Sequence, residues 1–106
     1  QQQVEMDAVV CYNDQIALEV IRSLQKNGKR VPEDISVTGY DNSVIAEGTV
    51  GLTTIAHPQE KLGEMAAELL LEKIRKVPED KSRIPRLIQP ELIVRGSTKS
   101  INTENK

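Results

Sequence analysis

The sequence predicts an α/β fold in which short parallel strands alternate with helices. An apolar segment at residues 7–12 passes directly into a segment whose apolar residues recur every three or four positions. This change of period is typical of a strand that runs into a helix. A β-branched segment at residues 35–40 follows. A strand, a helix and a strand within about 35 residues predict a βαβ unit with parallel strands.

The composition narrows the class of protein. The chain has 106 residues, of which 38% are hydrophobic and 28% charged, enough for one small domain with a core. Its net charge of −2 gives no electrostatic footprint for nucleic acid, and no apolar segment has the length of a membrane helix. One Cys and one His leave no internal disulfide and no zinc cluster. We therefore expect no metal, no cofactor and no membrane partner.

The first strand and helix meet at a polar corner. Residues 7–12 are predicted to form a strand buried on both faces, because its apolar residues are consecutive. Asn13 or Asp14 is expected to cap the following helix, since a short side-chain oxygen can accept the amide hydrogens of the first turn. The helix is predicted over residues 14–27, with Gly28 supplying its C-terminal conformation.

The middle of the chain is less regular. After the second strand at residues 35–40, two glycines and scattered apolar residues occupy residues 43–51. This pattern predicts either a short helix with a loop or a surface that awaits a partner. Residues 52–56 return to an extended pattern.

A second helix is predicted over residues 58–76, with Pro58 at its first position. Its apolar residues, at spacings of three and four, predict a buried stripe composed of Leu62, Met65, Ala66, Leu69, Leu70 and Ile74. Residues 77–90 are predicted to be a polar surface connection and residues 91–95 a last short strand. Residues 97–106 have almost no apolar content, so we expect a frayed polar tail.

Polar side chains follow both strands of the βαβ unit. Asn13 and Asp14 come after the first strand, and Asp41 and Asn42 come after the second. The carboxyl ends of parallel strands meet at one edge of a sheet, where open α/β sheets bind ligands. With His57, these residues suit hydrogen bonding to a neutral polyhydroxyl ligand. The alternatives are that the first pair only caps a helix and that the histidine caps the second helix.

No catalytic set accompanies these residues. The sequence has no Gly-rich phosphate loop and no Gly-x-Ser-x-Gly elbow. Asp41 as a phosphoryl acceptor would need further acids and a lysine around a magnesium ion, and none is convincingly placed. We therefore expect a binding protein with no catalytic residues, and an enzyme of the doubly wound α/β class is the weaker alternative.

Four segments resemble the effector-binding domain of lactose/galactose-repressor-type transcription regulators. They are Tyr-Asn-Asp-Gln-Ile-Ala-Leu at 12–18, Val-Pro-Glu-Asp-Ile-Ser-Val-Thr-Gly-Tyr-Asp-Asn at 31–42, Leu-Thr-Thr-Ile at 52–55 and Pro-Glu-Leu-Ile-Val-Arg at 90–95. The resemblance implies the periplasmic-binding-protein fold, in which two α/β subdomains enclose a sugar. A sugar receptor of a transporter has the same fold and remains the main alternative.

The resemblance also implies how the chain divides. Residues 1–96 would be the C-terminal portion of the effector-binding domain and residues 97–106 a tail. Within that portion, residues 1–51 would form a βαβ part of the second subdomain, 52–57 a crossover, 58–89 a helix and loop of the first subdomain, and 90–96 a return strand. The DNA-binding head would lie in an N-terminal part that this segment lacks, so we expect a piece of a longer cytoplasmic repressor.

By resemblance, Asn13 and Asp41 match sugar ligands, and His57 falls where the family often places another polar contact. Tyr12 stands where a small residue is common, which implies a pocket reshaped for one sugar. A pentose such as arabinose is the favoured effector.

The resemblance further implies a homodimer. Leu18, Arg22 and Ile45 match surfaces that the family uses for dimerisation. Operator DNA would be the second partner, bound through the missing head and released or recruited when the effector binds.

Overall fold

The computed structural model describes residues 5–48, 51–76, 78 and 87–101. Its elements in chain order are β1 (Ala8–Val10), α1 (Asp14–Lys26), β2 (Ser36–Thr38), a short 3-10 helix (Val44–Glu47), β3 (Thr54–Ala56), α2 (Gln59–Ile74) and β4 (Glu91–Ile93). The chain divides into two compact units, of which one comprises Gln1–Ala56 with Glu91–Lys106 and the other His57–Pro90. Among the described residues, no helix has the length and apolar character needed to cross a membrane.

The first unit contains the predicted βαβ arrangement. β1 and β2 pair in parallel, with Val9 opposite Val37. An isolated parallel bridge joins Thr38 to Thr53, and β3 then pairs with β4 in the antiparallel direction. The β-branched residues and the intervening amphipathic helix therefore produce the expected crossover.

The core of this unit lies between α1 and the strands. Ala17 and Ile21 on the inward face of α1 are at most 2% exposed, as is Val37 in β2. The remaining buried apolar residues among those that the structure describes are Cys11, Val31, Ile35, Ala46 and Leu52. The core is aliphatic, because the chain has no Phe and no Trp. Burial also raises the pKa of the Cys11 thiol, which is consistent with a small core residue.

The prediction that the first strand is buried on both faces is wrong. β1 covers only Ala8–Val10, and Val10 is 83% exposed. In the described part of the chain, no packed layer covers the face of β1 that carries Val10, and β1 pairs with β2 alone.

The predicted buried stripe of the second helix is also wrong. α2 has no buried residue, and Leu62, Leu70 and Ile74 are 42%, 60% and 65% exposed. Helix α2 is the one regular element described in the second unit, so this unit offers no second layer against which the stripe packs. Pro58 also precedes the helix as its N-cap and does not occupy its first helical position.

The prediction of a frayed tail fails for its first residues. Ser97 is fully buried, and its carbonyl oxygen accepts a hydrogen bond from the Val37 amide at 2.9 Å. Farther along, the Lys99 ammonium donates to the Glu33 carbonyl oxygen at 2.6 Å. This segment therefore packs along the edge of β2. The rest of the predicted tail, 102–106, lies outside the described residues, as does most of the polar connection at 77 and 79–86.

Candidate functional site

Asn13 caps the first helix. Its backbone is extended, with φ −151°, and its Oδ1 atom accepts a hydrogen bond from the Ile16 amide at 2.9 Å. Asp14 is the first helical residue, so the cap that the sequence left open between two residues is the asparagine.

Asp14 lies inside the first unit with 1% of its surface exposed. Its Oδ1 atom accepts from the Thr54 hydroxyl at 2.6 Å. Its Oδ2 atom accepts from the Ser43 amide at 2.7 Å and from the Ser43 hydroxyl at 3.2 Å. One carboxylate thus joins the start of α1, the loop after β2 and strand β3.

The turn after β2 has an unusual backbone. Asp41 and Asn42 have φ values of 107° and 51°. Residues other than glycine adopt such values at a cost of about 1–3 kcal/mol each and keep them only where surrounding contacts fix them. Here the Asp41 amide donates to the Ile55 carbonyl oxygen at 2.9 Å, and the Asn42 amide donates to the Thr54 hydroxyl oxygen at 3.2 Å. Strand β3 therefore fixes this turn.

Arg95 also holds this turn in place. Its Nη2 donates to the Asn42 side-chain oxygen at 2.9 Å, and its Nη1 donates to the Leu52 carbonyl oxygen at 3.0 Å. The Glu47 carboxylate, 78% exposed, lies 3.7 Å from the guanidinium. The guanidinium has a largely buried setting in which its donors are directed at specific acceptors.

An open groove of about 450 Å³ lies beside the start of α1 and the turn after β2. Asn13 and Asp41 line it, together with Leu18, Arg22 and Ile45. The other residues that border the groove are Asp14, Gln15, Glu19 and Ser43. The structure therefore brings three of the five residues expected for ligand binding into one groove with the residues expected for dimerisation.

Two expected ligand residues, Tyr12 and His57, are not among the residues that line the groove. Tyr12 is 85% exposed and is not among the lining residues. His57 belongs to the second unit and is half-buried there. Within the described ranges, no three His, Cys, Asp or Glu side chains are grouped so that they could hold a metal ion.

Three residues of the hydrogen-bonded corner escaped the sequence reasoning. Ser43 and Thr54 contact the Asp14 carboxylate, and Arg95 contacts Asn42. Thr54 and Arg95 lie in two of the four segments that resemble the repressor family, and this resemblance is the one signal in the sequence that points to them. Nothing local in the sequence indicates that these side chains meet, because their partners are 29 to 53 residues away.

Residues 2–98 match the sequence profile of the periplasmic binding protein-like domain. The chain belongs to this family. It is 47% identical over 98 residues to the HTH-type transcriptional repressor PurR of Vibrio campbellii. The matched region covers 90% of this chain and 28% of that repressor. It is 46% identical over 96 residues to the arabinose metabolism transcriptional repressor of Geobacillus stearothermophilus, covering 89% and 26%.

A solved structure gives the same answer for the fold. The transcriptional regulator CelR–cellobiose complex superposes with a TM-score of 0.78 at 35% identity, over 88% of this chain and 28% of that one. The periplasmic-binding-protein-like α/β fold and the resemblance to lactose/galactose-repressor-type regulators are thus confirmed. The chain spans about a quarter of the length of the curated relatives, so it corresponds to part of such a protein.

Proposed function

We propose that this chain is the effector-binding part of a bacterial transcription repressor. The observation that carries the proposal is the placement of Asn13 and Asp41, at the carboxyl ends of two parallel strands, in one groove. Open α/β sheets bind ligands at this position. The repressors among the relatives favour this function over a transporter receptor and over an enzyme.

The groove suggests how binding is transmitted. Helix α1 begins beside Asn13 and carries Leu18 and Arg22, which line the same groove. We infer that these two residues, with Ile45, belong to a homodimer interface. An effector that prefers one arrangement of this surface shifts the dimer towards it, and a separate domain reads operator DNA accordingly. Such a repressor acts in the cytoplasm.

The effector we favour is a small sugar, such as the pentose arabinose. Carboxylate and amide side chains at the groove suit hydroxyl groups, because a carboxylate accepts from two hydroxyls and an amide both donates and accepts. A purine or a sugar phosphate is the alternative effector, because PurR and the arabinose metabolism repressor are almost equally similar to this chain, at 47% and 46% identity. Tyr12 and His57 are proposed as further contacts that tune selectivity. Asp14 was expected to join them, but its buried carboxylate already accepts three hydrogen bonds, which favours a structural role.

A thermal-shift titration of the full-length protein tests the proposal. The panel contains L-arabinose, D-galactose, cellobiose, hypoxanthine and glucose 6-phosphate. A ligand at a hundred times its dissociation constant stabilises the folded state by about 2.7 kcal/mol. A selective rise of the midpoint with one compound identifies the effector class. No shift with any compound would contradict small-molecule sensing by this groove.

Asp41→Ala is the matching variant. Hydrogen bonds to charged groups contribute about 1.5–3 kcal/mol, so we expect a loss of at least about tenfold in effector affinity. Binding to genomic DNA fragments selected by the wild-type protein should be unchanged. Asp7→Ala, at an exposed aspartate of the same unit, is the control. Unchanged effector binding by the Asp41 variant would remove this carboxylate from the site.

A further inference from the structure

A short chain of hydrogen bonds holds the turn that presents Asp41. The Asn42 amide donates to the Thr54 hydroxyl oxygen, and that hydroxyl donates to the Asp14 carboxylate. The next amide, that of Ser43, donates directly to the other oxygen of the same carboxylate at 2.7 Å. Two consecutive turn amides therefore depend on Asp14, one directly and one through a threonine.

The carboxylate of Asp14 is committed to this task. Three donors occupy its two oxygens, and the residue is 1% exposed. The glycine at position 39 leaves room for the Asp14 carboxylate. A Cβ atom at this position would collide with Asp14 Oδ1 and would lie 2.8 Å from Leu52 Cδ2. Gly39 therefore lets the carboxylate reach the end of β2.

We propose that Asp14 is a positioning residue for effector recognition. It acts through Asp41, by fixing the backbone of the turn that carries this side chain, and it does not itself contact the effector. The positive φ values of Asp41 and Asn42 explain why such a residue is needed, because a backbone of this kind persists only where several contacts fix it. This inference rests on the proposed function, in which Asp41 is an effector contact.

A double-mutant cycle separates positioning from contact. Asp14→Asn keeps the shape of the side chain but replaces one accepting oxygen with a group that only donates. Calorimetric titration of the full-length protein with the five panel compounds measures the dissociation constant. We expect Asp14→Asn to weaken binding by about tenfold in the wild-type background and by less than about twofold in the Asp41→Ala background. Equal losses in both backgrounds would mean direct contact, and no loss in either would mean no role; both overturn the inference.

Variants of Thr54 test whether the hydrogen bond or the packing matters. Thr54→Ser keeps the hydroxyl, and Thr54→Val keeps the shape without it. We expect the serine variant to bind within about twofold of the wild type and the valine variant to lose about fivefold. Similar losses with both variants would assign the effect to packing and would overturn the proposed chain of hydrogen bonds. The valine variant replaces Asp14→Asn in every measurement if the latter does not fold.

Hydrogen exchange decides the structural half without any effector. In Asp14→Asn, the peptide covering residues 40–46 should exchange at least about tenfold faster, while peptides from β1 and β2 exchange as in the wild type. Unchanged exchange at 40–46, or equal acceleration everywhere, would overturn the inference. If the wild type binds no panel compound, the proposed function fails, and the exchange result still decides whether Asp14 fixes the turn.

Discussion

Ser97 joins three segments of the first unit through one hydroxyl group. The Ser97 hydroxyl donates to the Val37 carbonyl oxygen at 2.6 Å and accepts from the Thr53 amide at 2.8 Å. Ser97 is fully buried, so water does not replace these bonds when the hydroxyl is removed. Ser97→Ala therefore leaves one buried acceptor and one buried donor without this partner.

The magnitude follows from these two groups. A buried polar group without a partner costs about 1–3 kcal/mol, and removing the hydroxyl saves part of its own desolvation, so the net loss is about 2–4 kcal/mol. We expect the free energy of unfolding of the full-length protein to fall by this amount. Urea denaturation followed by circular dichroism measures it.

Ser100→Ala is the matched control, because this serine belongs to the same segment but is exposed. The free energy of unfolding of Ser100→Ala should lie within about 0.5 kcal/mol of the wild-type value. If Ser97→Ala were as mild as the control, the hydroxyl would not hold the segment, and the frayed tail expected from the sequence would be the better description.

Two further predictions concern the site and a turn. Gly39→Ala should cost about 1–3 kcal/mol in urea denaturation, because the added methyl group displaces the Asp14 carboxylate. The control, Gly63→Ala, has open space in α2 and should not destabilise; equal effects would refute the clash. The side chain and amide of Arg30 lower the pKa of Asp34 from 3.8 to about 2. The stabilisation from the ionised Asp34 carboxylate is present above pH 3.8 and disappears as the pH falls towards 2. The melting temperature of the wild type should therefore exceed that of Asp34→Asn above pH 3.8, and this difference should vanish as the pH falls towards 2. A difference that stays constant over this range would contradict the prediction.

The features that the sequence predicts well depend on neighbours along the chain. The cap of α1 needs a short polar side chain three residues before its partner amide, and the crossover needs a strand, a helix and a strand in succession. The position of Asn13 and Asp41 at the carboxyl ends of two neighbouring parallel strands follows from these two features. The fold class and the meeting of these two residues were therefore predictable.

The features that the sequence misses depend on distant partners or on missing ones. Asp14 has the residue type of a ligand, and only contacts 29 and 40 residues away turn it inward. Ser97 lies in a polar stretch that gives no apolar signal for burial. The apolar pattern of α2 predicts a face that needs a covering layer, and that layer is not in the second unit as described.

The Asn13–Asp14 pair divides two tasks between adjacent residues. Successive positions at the start of a helix differ by about 100° around the axis, so adjacent side chains can reach different partners. Both residues border the groove, but the Asn13 side chain caps α1, whereas the Asp14 carboxylate accepts hydrogen bonds from Ser43 and Thr54. A substitution at the first residue should therefore alter effector contact, and one at the second should alter the geometry of the turn. Sequence reasoning that treats the pair as one polar site cannot separate these effects, because the separation arises from contacts made across the fold.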